Sequence, residues 1–275
     1  MKSDCSHWRL LAHRSLAVSA IPLIALALSG CDTTPRDETA RWTPEKLYTE
    51  AKEESASGNY DKAAKLYERL EGRAAGSVLA QQAQIEKAFL YWKSGEKAQA
   101  LSTLERFIKL HPTSPALDYA LYLQGLVNFN ENLGLFGGLT SQDLSERDQQ
   151  ASRDSYQSFR VLTEQFPQST YAEDARQRMS YIVNSLAAYE VHVARYYFRR
   201  GAFVAAANRA QQAIQEFQQS PSSEEALVIL AQSYDRLGLT QLRDDAERVL
   251  KTNFPNSSVS TGLGNRKAAP WWQLW

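Results

Sequence analysis

A spacing of 37 residues recurs along this chain and leaves few folds open to it. Ala51, Ala88 and Gly125 follow one another at that interval, and Ala194 and Ala231 repeat it. Seven residues after Ala51, Ala88, Ala194 and Ala231 stand Gly58, Gly95, Gly201 and Gly238. A small residue lets two helices approach closely, and a glycine just beyond ends a helix in a turn that a side chain resists. The repeating unit is therefore a pair of antiparallel helices, and units at a fixed period bury their faces on one another in an array.

Within each unit the second helix carries Ala63 and Tyr67, or Ala100, Leu104 and Phe107, or Ala206, Ala210 and Ala213, each set on one helical stripe. Pro112, Pro167 and Pro255 follow second helices, where a residue without an amide hydrogen stops the helix. This is the pattern of a tetratricopeptide repeat, slightly longer than its usual period of about 34 residues. The predicted fold is an all-α solenoid of about five such pairs. Two features interrupt it. Residues 132–147 hold Gly134, Gly137 and Gly138 among Leu133, Leu135, Phe136 and Leu139 and read as an insertion, either a functional loop or a cover for an exposed repeat surface. Thr170 to Arg200 lacks both Pro and Gly, which predicts one long helix joining two halves, 44–170 and 171–256.

The amino terminus is a secretion address. Lys2, Arg9 and Arg14 precede an apolar run from Leu16 to Leu28, too short to span a bilayer. It ends in Leu28-Ser29-Gly30-Cys31, the spacing of a lipoprotein signal. Residues 1–30 are expected to be cleaved, and Cys31 to carry S-diacylglycerol and an N-acyl chain, which together hold far more firmly than a single fatty acyl chain. Residues 31–43, polar and with Pro35, read as a tether. Cleavage removes three cations and one anion, so a formal net charge of +0 becomes −2. That near-neutral body lacks the concentrated cationic surface nucleic acid requires. Of the two cysteines, Cys31 alone survives processing, and it is taken by lipid.

No cofactor is expected beyond that lipid, and no enzyme activity. His111 and His192, the histidines that remain after processing, are far apart and have no metal-spaced partners; the nucleophile, zinc and phosphate-loop motifs are missing from the sequence. Binding is the remaining class of function. First-helix positions at minus three, plus one and plus four from each small residue line one wall of such a solenoid. They select Tyr48, Lys52 and Ser55, then Ile85, Phe89 and Trp92, then Tyr122, Leu126 and Phe129. Rings offer large area at little rotamer cost and suit an extended aromatic or apolar peptide, unless they pack between repeats instead. The tail, 257–275, ends Pro270-Trp271-Trp272-Gln273-Leu274-Trp275. Its indoles have three possible seats: a membrane interface, a partner, which is the preferred reading, or their own solenoid.

Several words in the sequence go beyond a generic repeat. They are Asp118-Tyr119 with Tyr122 and Gly125-Leu126; Ser145-Glu146-Arg147-Asp148; Pro167-Gln168-Ser169 with Tyr171 and Asp174-Ala175; Tyr189-Glu190, Val193-Ala194, Tyr196-Tyr197, Arg200-Gly201-Ala202-Phe203 and Asn208-Arg209. With the lipoprotein signal they make the chain resemble the BamD/ComL outer-membrane assembly lipoproteins to about Pro255, and the Trp-rich tail extends beyond that core. The resemblance implies a non-enzymatic subunit of the β-barrel assembly machine on the periplasmic face of the outer membrane. It implies contact with the barrel subunit through the carboxyl-terminal repeats, alongside accessory lipoproteins. It implies capture of the aromatic carboxyl-terminal signal of unfolded outer-membrane proteins by the amino-terminal repeats, where Tyr48, Phe89, Trp92, Tyr122 and Phe129 stand. Arg209 occupies the family's interface-arginine position, able to pair bidentately with a partner carboxylate, and Arg200 joins it as a partner-binding residue. Asp32, next to the lipidated cysteine, is a contrary sign, since aspartate there retains some lipoproteins at the inner membrane. The rival reading is a periplasmic repeat lipoprotein serving cell-wall or division factors.

Overall fold

The computed structural model describes residues 38–129 and 146–257. It divides at Thr43 into two units. In the first, the described residues 38–43 form a turn closed by Trp42 N–H to the Thr39 carbonyl at 2.8 Å. Cys31, Asp32, residues 132–145 of the expected insertion and the tryptophans of the tail lie outside the described residues, while the insertion's last two residues, 146 and 147, begin a helix.

The second unit is all-α among the described residues, built of ten helices. They are α1 Pro44–Ala56, α2 Tyr60–Arg73, α3 Val78–Lys93, α4 Lys97–Leu110, α5 Leu117–Asn128, α6 Glu146–Gln165, α7 Ala172–Arg199, α8 Phe203–Glu216, α9 Ser223–Arg236 and α10 Thr240–Asn253. Each packs on its neighbours in the chain as five hairpins, and the first helices also touch one another, α1 on α3, α3 on α5 and α7 on α9. This is the five-pair repeat solenoid. The long α7, 28 residues, occupies the predicted stretch.

Local chemistry explains the periodic glycines. Gly58, Gly95, Gly201 and Gly238 take φ between 73° and 83°, a left-handed backbone that a side chain disfavours. The residue after each glycine donates to a carbonyl five positions back: Asn59 to Glu54, Glu96 to Tyr91, Ala202 to Tyr197 and Leu239 to Tyr234, all at 2.8–3.0 Å. That closure satisfies carbonyls left open at the helix end and turns the chain into the second helix.

The small residues are where helices meet. Ala51, Ala88 and Ala194 are fully buried and Ala231 nearly so. At Gly125 the demand is strictest, because a Cβ built there stands 2.4 Å from the Phe159 ring of α6. The second-helix stripe is core throughout: Ala63, Tyr67, Ala100, Leu104, Phe107, Ala206, Ala210 and Ala213 are all buried.

One recurrent device escapes a reading of the prolines as simple stops. After α4, α6, α8 and α10 a serine amide donates back three residues, Ser114 to His111, Ser169 to Phe166, Ser220 to Phe217 and Ser257 to Phe254. In the first three the serine hydroxyl also accepts the amide two residues on, from Ala116, Tyr171 and Ser222, and so starts the next hairpin. Between hairpins, the Glu71 carboxylate on α2 accepts from Gln84 and the buried Lys87 on α3 at 2.7 Å each, and from Arg106 on α4 at 2.8 Å.

Candidate functional site

The rings selected on the first helices divide into three settings. On α1, Tyr48 is half-buried, edge-on to Tyr67 of α2 at 5.9 Å, and the exposed Lys52 places its ammonium 5.7 Å from the Tyr48 ring centre. Burial, with the Glu86 carboxylate adding to it, raises the Tyr48 phenol above its ordinary pKa. On α3, Phe89 and Trp92 meet edge to face at 6.0 Å and Lys93 stands 5.9 Å from the Phe89 ring. Ile85 is buried in the core shared with α4 and α5, so it offers no surface.

The third setting is braced by the next hairpin. Tyr122 stacks on Tyr171 at 4.8 Å, and its hydroxyl donates to Asp174 Oδ2 at 2.7 Å. Arg178 Nε donates to the same oxygen at 2.6 Å, and its guanidinium lies 4.7 Å from the centre of the Phe129 ring. Phe129 also touches Tyr181 at 5.6 Å and Phe159 at 6.3 Å. Desolvation pushes the Asp174 carboxyl upward, but the hydrogen bonds from Arg178 and Tyr122 outweigh it and hold the group below the usual carboxylate range. The Tyr122 phenol is raised, first by burial and then by its bond to Asp174.

Tyr119 completes the wall. It lies against the same buried cluster as Phe89 and Trp92 and meets Tyr171, just before α7, at 5.3 Å. Tyr119, Tyr171, Asp174, Arg178 and Tyr181 were not reached by the offset rule, which counts only from small residues of the first three units. Cations stand beside Tyr48, Phe89 and Phe129, which makes each ring a site with a positive rim.

The two arginines are placed differently. Arg200 follows the last turn of α7, exposed, its guanidinium 5.4 Å from the ring of Tyr196, itself 47% exposed. Arg209 on α8 donates to Glu190 Oε2 of α7 at 3.1 Å; the glutamate side chain is 3% exposed and the arginine 41%. The carboxylate that Arg209 holds in the chain alone is therefore its own. His111 caps α4 against Phe107 and His192 is exposed on α7; among the described residues no group of three or more His, Cys, Asp or Glu gathers as a metal site.

Comparison with known proteins shows the chain's family. Residues 41–249 match the sequence profile of a family described as YfiO, outer membrane lipoprotein. The chain is 48% identical over 257 residues to a Neisseria meningitidis serogroup A protein named outer membrane protein assembly factor BamD, covering 92% of this chain and 96% of that one. The Neisseria gonorrhoeae protein of the same name is 47% identical with the same coverage. That of Xylella fastidiosa strain Temecula1 is 34% identical over 253 residues, 90% of this chain and 86% of the relative.

Proposed function

The chain belongs to the YfiO family of outer membrane lipoproteins, the family of the BamD assembly factors, and from that membership we propose how its repeats divide the work. It is a non-enzymatic lipoprotein component of the β-barrel assembly machine, facing the periplasm from the outer membrane and assisting outer-membrane protein assembly. Its lipid is an anchor rather than a cofactor. Its partners are other subunits of that machine and outer-membrane protein substrates.

The amino-terminal hairpins take the aromatic carboxyl-terminal signal of an unfolded substrate along Tyr48, Phe89, Trp92, Tyr122 and Phe129. The observation carrying this reading is two groups of half-buried rings, Phe89 with Trp92 and Tyr122 with Phe129, and a cation beside each group. Half-buried rings are already oriented by their neighbours, so little rotamer freedom is lost on binding. A peptide ending in an aromatic residue and a free carboxylate meets both a π-face and a cation there. Photo-crosslinking such a peptide to the full chain tests it. Phe89→Ala with Trp92→Ala is expected to cut the yield several-fold, and undiminished crosslinking returns those rings to structure alone.

Arg209 and Arg200 face the barrel subunit. Arg209 keeps part of its guanidinium open while neutralising Glu190, so a partner carboxylate can share the fork. Arg209→Glu would set two carboxylates together and disturb the fold as well as the complex. Arg209→Lys preserves the charge beside Glu190 and removes the planar fork. Co-purification of the barrel subunit is expected to fall for Arg209→Lys with the thermal midpoint unchanged; normal recovery would remove Arg209 from the interface.

A further inference from the structure

The last hairpin is apolar where earlier hairpins are polar. In register with the turn glycines, Ser57, Asn59, Lys62 and Arg69 of the first hairpin correspond to Ser94, Glu96, Gln99 and Arg106 of the second and to Leu237, Leu239, Leu242 and Val249 of the last. These four are 37%, 44%, 45% and 42% exposed, and Val204 of α8 is more exposed still. Leu239, which caps α10, and Leu242, Ala246 and Val249 on it are spaced three, four and three apart, one stripe. Ala246, at its centre, is buried in the cluster that α7, α8 and α9 share, and it is the one α10 residue classed as core. The aliphatic side chains on either side of it face water, an arrangement that marks a surface awaiting cover.

We infer that this stripe is covered by the chain's own carboxyl-terminal segment, with Trp271, Trp272, Leu274 and Trp275 lying across Leu239, Leu242 and Val249. Four arguments select that occupant over a separate protein. The chain leaves α10 through the same serine turn that returns it onto the array after α4, α6 and α8, Ser257 N–H to the Phe254 carbonyl at 3.1 Å. At the earlier turns the serine hydroxyl accepts the amide two residues on; the Ser257 hydroxyl is buried with no partner, the place that amide would fill. Thirteen residues, 258–270, separate the turn from the first tryptophan, enough to reach about 45 Å when extended. The stripe lies on a helix only about 20 Å long. Tethering at that length holds the tryptophans near the stripe at roughly millimolar effective concentration. The segment thus takes aliphatic side chains of α10 out of water.

The test uses the full lipid-free chain. With Cys5→Ser and Cys31→Ser to remove the native thiols, and Leu242→Cys and Trp272→Cys, a short bifunctional maleimide is expected to link the two within one molecule, at a yield independent of protein concentration. Trp271→Ser, Trp272→Ser and Trp275→Ser together are expected to speed amide exchange in α10 about 10-fold and to increase binding of an apolar dye. Leu242→Asp should give the same changes, and adding it to the triple variant should add nothing. Three results would overturn the inference: linking that scales with concentration, unchanged exchange in the triple variant, or indole burial that occurs only when anionic lipid vesicles are added. Leu242→Asp alters an exposed side chain, so helical content by circular dichroism guards against a folding artefact.

Discussion

The first three hairpins and the last two are built from the same repeat with different bricks. Among the second helices, α2, α4 and α6 fully bury large side chains, Tyr67, Leu70, Leu104, Phe107, Phe159 and Leu162, whereas the large fully buried side chains after α6, Ile182, Val191 and Ile229, all lie on the first helices α7 and α9. In the carboxyl-terminal part α8 buries only alanines, Ala206, Ala207, Ala210 and Ala213, and α10 buries Ala246. Large side chains bury more apolar area per residue and leave large cavities when removed. Alanines let backbones approach closely but give each helix less to lose on leaving. In an array where each unit contacts only its neighbours, stability is a sum over local interfaces. The second helices of the amino-terminal part are therefore held by more buried area than α8 and α10, and the carboxyl-terminal part is the end that opens at least cost.

The strongest way to break this contrast is Phe107→Ala. Phe107 is fully buried between α3, α4 and α5, and its removal is expected to cost about 3–5 kcal/mol, read as a lower urea midpoint. Ala213→Gly, the deletion at the corresponding position of α8, should cost only about 1 kcal/mol, chiefly from helix propensity. Equal costs in the two halves would dissolve the distinction.

Gly125→Ala comes next. A methyl there sits 2.4 Å from the Phe159 ring, and Ser155, one turn earlier on α6, holds the Gly125 carbonyl at 2.8 Å. The helices must separate or the ring must turn, at about 1–3 kcal/mol. The ring wall should suffer with it, because Phe159 supports both Tyr122 and Phe129. A Gly125→Ala chain of unchanged midpoint and unchanged peptide crosslinking would show that the α5–α6 approach is not limiting.

What could be read from the sequence follows from this geometry. Period, glycine turns, buried stripes and the long α7 were legible because each rests on a local rule: one residue, one helical face or one uninterrupted run. The ring wall was legible only in part. Tyr122 and Phe129 are gripped by Asp174 and Arg178, about fifty residues downstream, and no periodicity announces a contact across a hairpin and an insertion. Ile85 satisfied the same offset as Tyr48, but α3 is covered by both α4 and α5, so its side chain is core. Arg209 read as an outward charge because its carboxylate, Glu190, lies on a different helix, 19 residues earlier. Glutamate within a long helix ordinarily faces water, and nothing local marks this one as buried.

A smaller effect tests whether the amino-terminal half is also held by charge. Glu71 joins α2 to α3 and α4 through Lys87, Gln84 and Arg106. Burial pushes its carboxyl upward, but the hydrogen bond and charge of Lys87, with Gln84 and Arg106, outweigh that and leave the folded-state pKa lowered. Such a group contributes stability above the unfolded carboxylate pKa and loses it as pH falls through the lower folded value. Lys87→Met is expected to cost about 2 kcal/mol at pH 7, less than the ~3–5 kcal/mol of a fully buried pair because Glu71 keeps water and Arg106. It should also flatten the fall in stability as pH drops below about 4.5, near the unfolded carboxylate value. An acid slope as steep as that of the parent chain would place the titration elsewhere.

The smallest expected effect lies in the other half. Arg195 on α7 and Glu225 on α9 meet at 2.5 Å, with side chains 35% and 28% exposed. They are the carboxyl-terminal counterpart of the Glu71 hub, one ion pair in place of three hydrogen bonds. Water screens them and their long side chains lose freedom on pairing, so a double-mutant cycle of Arg195→Ala and Glu225→Ala should return a coupling of about 0.2–1 kcal/mol, shrinking with added salt. The contrast between the halves requires this number to stay below the loss caused by Lys87→Met. A coupling of about 2 kcal/mol or more, unmoved by salt, would mean that α7 and α9 are locked by a desolvated pair, and the carboxyl-terminal hairpins would then be as firmly held as the wall of rings they are paired with.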